Sequence, residues 1–229
     1  MTESTERLSV AALATAKGLP AEVLRGFGVS DGDDGVRFAF RSPSGEAGRT
    51  RLRTALRGVD GSSWAPGDTA PVVAYCTPGS LDLARLVGYQ IVVEGESDCW
   101  TAWFHGVPAV GIPGSDSWGT LTLEHLPVSE VFIQVEADNA RTYPGGVERY
   151  VEATAARIRE IGFAGAVRRL RLGDGVSDLS DLYQRDQAGF ADAVRDALAR
   201  SRRANGGANG GAHGPAAQTP GPPPTSENR

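Results

Sequence analysis

From Tyr89 onward the chain alternates short apolar runs with helical stretches, and this alternation restricts the possible folds more than any other feature. Tyr89-Gln90-Ile91-Val92-Val93 reads as a strand that ends at Glu94, and Pro108-Ala109-Val110-Gly111-Ile112 as a second. Val131-Phe132-Ile133-Gln134-Val135, ending at Glu136, makes a third, and residues 166–172 a fourth. Helical patterns separate them. One covers residues 80–87 and stops at Gly88; the next places Trp100, Trp103 and Phe104 on one buried stripe before Gly106. A helix is expected around residues 117–125. Another, over 145–161, buries Val147, Tyr150, Val151, Ile158 and Ile161, with Thr154 on the same face. Two more, about 178–184 and 187–203, complete the folded part. Strands apolar on both faces and joined by helices call for an α/β fold, a parallel sheet with helices on both sides.

The segment before this unit, residues 1–79, has a different period and is expected to form a small α+β subdomain. Two short helices end at Gly18 and near Gly26 and Gly28, with Pro20 at the first turn of the second. Val36, Phe38 and Phe40 then alternate with Arg37, Ala39 and Arg41. Pro43-Ser44-Gly45 turns the chain into Arg49, Arg51 and Arg53, which makes a hairpin with an arginine-rich face. Residues 58–79 read as a loop-rich connection containing Trp64. At the other end, residues 204–229 hold six Gly and five Pro without an apolar run, so a disordered tail is expected after a second unit of 80–203. No apolar run approaches the roughly 18–20 residues of a membrane span, and the N-terminus lacks the order of a signal peptide. Two cysteines, Cys76 and Cys99, are too few for a disulfide framework, so a reducing cytoplasm is expected. A net charge of -5 argues against indiscriminate coating of nucleic acid but not against a local basic groove.

In open parallel sheets, ligands bind beyond the carboxyl ends of the strands, and there the acids gather. Glu94 is followed by Gly95, Glu96, Ser97 and Asp98; Glu136 and Asp138 follow the third strand; Asp174, Asp178 and Asp181 follow the fourth. Any one of these, alone, is more often a helix cap or a solvated loop residue, and Ser97 and Asp98 suit the cap of the next helix. Acids at three strand ends of one sheet would repel one another unless cations neutralise them. Oxygen-only donors suit Mg²⁺ or Mn²⁺, which stabilise charge on a transferring phosphoryl group. Glu94, held by a glycine turn, is placed to give or take a proton.

Val92-Val93-Glu94-Gly95-Glu96-Ser97-Asp98, Val110-Gly111-Ile112-Pro113-Gly114-Ser115 and Val135-Glu136-Ala137-Asp138 together resemble the Toprim domain. That Rossmann-like domain occurs in DnaG-type primases, topoisomerases, recombination mediators and OLD-type nucleases. Ser177-Asp178-Leu179-Ser180-Asp181-Leu182-Tyr183 is most similar to the primase branch, especially the primase-helicases of phages and mobile elements. The helices and arginine-rich hairpin also resemble the segment that precedes Toprim there. The resemblance implies Glu94 as general acid/base and metal ligand, and Glu136, Asp138, Asp178, Asp98 and Asp181 as acids of the metal site. This chain departs from the family pattern at Glu136, where Asp is usual, at Asn139, and at Ser177 and Leu179, where Lys and Pro are usual.

The implied function is metal-dependent nucleotidyl transfer on single-stranded DNA, a primase reaction of DNA replication that uses nucleoside triphosphates. No zinc-ribbon cysteines and no Walker-type loop occur, so a zinc-binding module and a replicative helicase are expected as separate partners. An OLD-like nuclease would use the same acids on a phosphodiester, and a non-catalytic DNA-binding remnant of a primase-helicase is a third reading. Arg49, Arg51 and Arg53, spaced two apart, project to one side of a strand. That side is either solvated or a basic face for template phosphates, to which Arg168, Arg169 and Arg171 would add. His105 and His125 read as ordinary helix-end residues, and Trp64 as the one tryptophan open to stacking on a base.

Overall fold

The Ser9 side chain accepts a hydrogen bond from the Ala12 amide and starts α1 (Val10–Lys17), which Gly18 ends in the left-handed region. α2 (Ala21–Gly26) follows Pro20, which serves as its N-cap and does not enter its first turn. This is the first part of a computed structural model that describes residues 7–56, 61–136 and 145–206. The expected tail beyond residue 206, together with Arg57, Asp138 and Asn139, lies outside the described residues.

The predicted hairpin is present, within a larger antiparallel sheet of order β1-β2-β3-β4. Its strands are β1 (Ser30–Gly32), β2 (Gly35–Arg41), β3 (Ala47–Arg53) and β4 (Ser62–Trp64). β4 replaces part of the expected loop and carries Trp64. Register decides where the arginines point. Val36 lies opposite Arg53 and Phe38 opposite Arg51, and directly opposed residues share a face of the sheet. The arginines therefore sit on the side of buried Val36, Phe38 and Phe40, facing inward, so of the two readings of that side the solvated one does not hold.

The second sheet is parallel, of order β6-β5-β7-β8, from β5 (Tyr89–Glu94), β6 (Ala109–Ile112), β7 (Glu130–Gln134) and β8 (Ala166–Leu170). The helices are α3 (Pro78–Val87), α4 (Glu96–Phe104), α5 (Gly146–Glu160), α6 (Leu179–Arg185) and α7 (Phe190–Gly206). α3 begins two residues earlier than its apolar pattern suggests, because Thr77 and Ser80 form a capping box and Pro78 fits the first turn. The expected helix at 117–125 is instead two 3₁₀ turns, Trp118–Thr120 and Leu123–His125. Gly119 disfavours a continuous helix there. Thr122 restarts the chain locally, its hydroxyl 2.7 Å from His125 Nδ1. Phe104 is also corrected: Trp100 and Trp103 are buried, but Phe104 is 37% exposed, because it overhangs the last turn of α4.

Successive residues of β5 serve two cores. Ile91 and Val93 join a cluster with Trp100, Phe132, Phe38, Phe40 and the α7 residues Phe190, Val194, Ala197 and Leu198. Val92 faces the other way, with Val110, Ile112, Ile133, Tyr150, Val151 and Ile158. Both faces are covered, as a parallel sheet requires, and the antiparallel sheet packs into the first core. Tyr75 couples the two sheets. Its backbone makes an antiparallel bridge to Gly111 at the β6 edge, and its hydroxyl accepts from Trp100 Nε1 at 2.8 Å. Among the described residues no helix is long and apolar enough to cross a membrane.

Candidate active site

The order β6-β5-β7-β8 means that the chain leaves β5 toward one neighbour and later returns on its other side. A crevice opens beyond the carboxyl ends of β5 and β7 at such a switch point. Glu94 ends β5 and Glu136 follows β7 by two residues, so the two acids meet across it. After Glu94 the chain turns through Gly95 at φ 80°, ψ 179°, a conformation essentially reserved for glycine. The Gly95 amide donates to the Ile112 carbonyl at 2.8 Å. A Cβ on Gly111 would come within 2.6 Å of the Gly95 oxygen, so both glycines are needed for this close approach.

Asp98 does not cap α4; it is buried and holds three elements together. Its carboxylate accepts from the Ser180 amide of α6 at 2.8 Å and from Gln134 Nε2 of β7 at 3.1 Å. Burial, then the charge of Asp178, pushes its pKa up to about 7. Asp178 is the N-cap of α6, accepting from the Asp181 amide at 2.7 Å. Glu136 is pushed up to about 9, by burial first and then by Asp98, Glu94 and Asp178. Burial also raises Glu94, against a hydrogen bond from the Ser115 backbone. Asp181 behaves differently. It accepts from the Ser177 amide at 2.9 Å and pairs with Arg185 at 2.8 Å, and it does not line the cleft that the other four acids share.

That cleft encloses about 350 Å³, and Lys17, Arg51 and Arg53 line it together with the acids. Arg53 pairs with buried Glu96 at 3.1 Å and also donates to the Ser97 hydroxyl. Arg51 donates to the Pro113 carbonyl at 3.0 Å and stacks 4.0 Å from the Trp64 ring centre, so Trp64 is occupied. Arg49 donates to the Ala70 carbonyl at 2.9 Å and does not line the cleft. Arg168 is paired with Glu130 and Arg169 with Glu148, both away from the cleft.

Sequence reasoning passed over Lys17, Gln134, Glu96 and Ser180. Lys17 is the chain's single lysine among 23 basic residues, and it stands at the end of α1 within reach of the charges of Asp98, Asp178 and Glu96. Burial and Arg53 lower its pKa. Gln134 was visible as a lone polar residue in an apolar strand, whereas nothing in the sequence marked Glu96 as buried.

Among the described residues no group of three or more His, Cys, Asp or Glu side chains is spaced to hold a metal ion. The donor set nevertheless fits a hard divalent cation: it is all oxygen, and the neighbouring carboxylates add to burial in raising the proton affinity of Asp98 and Glu136. A consequence is measurable without any substrate. An acid whose folded pKa lies above its unfolded value contributes stability at low pH that is lost as pH rises through the folded pKa. With Glu136 at about 9 and Asp98 at about 7, the metal-free protein should become less stable from about pH 5 to pH 9. We expect melting temperature to fall by roughly 5 °C or more over that range, equivalent to about 2 kcal/mol. Added Mg²⁺ or Mn²⁺ should remove most of the fall; a flat profile without metal would show that the carboxylates do not repel one another.

By sequence the chain matches no protein-family model and no curated protein. By structure it is similar to the Escherichia coli primase catalytic core, with TM-score 0.56, 18% identity, 85% of this chain and 74% of that chain covered. A DnaG primase catalytic domain bound to single-stranded DNA aligns with TM-score 0.58 and 17% identity over 82% of this chain and 71% of that one. The zinc-binding and RNA polymerase domains of Aquifex aeolicus primase align with TM-score 0.51 and 17% identity over 72% of this chain, which spans 40% of that chain. The four-stranded parallel sheet flanked by helices, with its cleft at the ends of β5 and β7, is thus the Toprim fold as it occurs in DnaG primase catalytic cores.

Proposed function

We propose that the protein is a DnaG-like primase catalytic module that joins nucleotides on a single-stranded DNA template with Mg²⁺ or Mn²⁺. The observation that carries this is one cleft lined by five acids, Glu94, Glu96, Asp98, Glu136 and Asp178, together with Lys17, Arg51 and Arg53; Glu96 is paired with Arg53, which leaves four carboxylates beside Lys17 and Arg51. Buried acids close together suit a cation, and the basic groups beside them suit the phosphates of a triphosphate or template. Glu94, Glu136, Asp178 and Asp138 would hold the metal, which when bound supplies charge neutralisation at the transferring phosphoryl group. Asp98, committed to Ser180 and Gln134, orients α4 and α6 around it. Glu94 takes the proton from the attacking hydroxyl. Lys17 and Arg51 receive the triphosphate, Lys17 as a point charge and Arg51 through its planar fork.

Ser177-Asp178-Leu179-Ser180-Asp181-Leu182 supports placing the chain with the primase-helicases of phages and mobile elements. A separate helicase and a zinc-binding module would act with it. Incubation with single-stranded DNA, labelled nucleoside triphosphates and Mn²⁺ tests the reading. New oligonucleotides, absent from the Glu136→Ala, Asp138→Ala double variant, are the expected result. Shortened DNA would make the site a nuclease. DNA binding with neither product would make the chain an accessory module.

A further inference from the structure

Away from the acidic cleft, a second groove of about 470 Å³ lies between β8 and α7 and shares no lining residue with the first. Val167 and Arg169 of β8, with Arg171 just past its end, line one side. Ala197, Arg200, Ser201 and Ala204, at helical spacing on α7, line the other. The small α7 residues keep the floor open. Ser201 closes it by donating to the Arg169 carbonyl at 2.6 Å. Three guanidinium groups therefore border a groove whose ion pairing among the described residues is one carboxylate, Glu148, on Arg169. Arg200 uses one donor, to the Leu172 carbonyl at 3.3 Å, and keeps the rest. Arg171 is exposed, with no side-chain partner among the described residues. Arg168 points to the opposite side of the strand, to Glu130, and is not part of the groove.

A protein with net charge -5 that concentrates three arginines around one groove has a local site for anions. The groove is bordered by a strand and a helix, and its cations are separated, Arg169 on β8, Arg171 just past its end and Arg200 on α7, which suits successive phosphates better than one compact anion. We propose that this groove binds the sugar-phosphate backbone of single-stranded DNA, as a contact separate from the catalytic cleft. The choice of DNA rests on the function proposed above; the groove itself does not depend on whether the cleft is catalytic.

The test compares wild type, Arg195→Ala as an exposed arginine outside both grooves, and the Arg169→Ala, Arg171→Ala double variant. Binding of a fluorescent single-stranded oligonucleotide is followed by anisotropy at several salt concentrations, and melting curves confirm that each protein is folded. Both arginines are exposed, so the double variant should melt close to wild type. Its log affinity against log salt should have a slope shallower by about 1.4, since each phosphate contact on a single strand contributes roughly 0.7. Affinity at low salt should fall on the order of tenfold, while Arg195→Ala binds nearly as wild type does. An unchanged slope and affinity in the double variant overturns the groove, and oligonucleotide synthesis by wild type still decides the cleft separately. Wild type without salt-dependent DNA binding also overturns it. Should Arg171→Ala alone lower the slope by about half as much, the contact is confirmed without disturbing the Arg169–Glu148 pair.

Discussion

Glu94→Gln is expected to lower nucleotidyl transfer by about 10²- to 10⁴-fold, the usual contribution of a positioned proton carrier, while melting temperature stays the same or rises. Gln keeps the shape and one oxygen of the side chain, so the turn at Gly95 and the hydrogen bond from the Ser115 backbone are retained. It removes a carboxylate whose charge opposes ionisation of Glu136, which favours the folded state in the absence of metal. It cannot accept the proton of an attacking hydroxyl. Burial raises the Glu94 pKa, so wild-type activity should climb with pH as this group ionises, and the climb should be missing from the residual activity of the variant. Initial rates across pH, with calorimetric Mn²⁺ titration of both proteins, check this. A variant that kept its rate within about threefold, against the 10²-fold or more that a proton carrier supplies, would remove Glu94 from the chemistry. One that lost its rate only through lost metal affinity would make it a ligand without a proton role.

Arg53→Ala is expected to destabilise the protein by about 3 kcal/mol or more, the usual cost of leaving one partner of a buried ion pair uncompensated. At this chain length that is a fall of roughly 6–12 °C in melting temperature. The pair it breaks has Arg53 14% and Glu96 9% exposed at the side chain, so water reaches little of either charge. Arg53 also donates to the carbonyls of Ala55 and Leu56 and to the Ser97 hydroxyl, and thereby ties β3 to the start of α4. Combining Arg53→Met with Glu96→Gln removes the stranded charge and refills the volume, and should recover more than half of the loss. Thermal melts of the single and double variants measure both effects. A loss under about 1 kcal/mol for Arg53→Ala would mean that the pair behaves as a surface bridge.

Local chemistry was legible without coordinates. Ile91, Val92 and Val93 are apolar in succession, and only a strand covered on both faces accommodates that pattern, so the parallel sheet followed directly. Gly18, Pro20 and Gly88 marked helix ends because capping depends on a few adjacent residues. The acids after β5 and β7 stood out because ligands collect at strand ends. Where a segment was short or its partners distant, local pattern failed. Residues 117–125 had apolar content enough for a helix, yet Gly119 and the Thr122–His125 contact divided them into two 3₁₀ turns.

The sequence alone therefore determined the fold class, the alternation of the parallel strands with helices and which acids stand at strand ends, because periodicity and capping are properties of neighbouring residues. Tertiary structure alone decided which groups meet and in what environment. The alternation in β3 shows that Arg49, Arg51 and Arg53 share a side, but pairing with β2 turns that side toward the core, since register is a property of two strands. Lys17 reaches the acids because the end of α1 is held against α6, where Tyr183, 165 residues away from Gly18, donates to the Gly18 carbonyl. Asp98 becomes a buried junction, not a helix cap, because β7 and α6 bring Gln134 and Ser180 to it. Charge and hydrogen-bonding capacity are written in each residue; proximity and dielectric, which set what those groups do, arise only when distant segments pack.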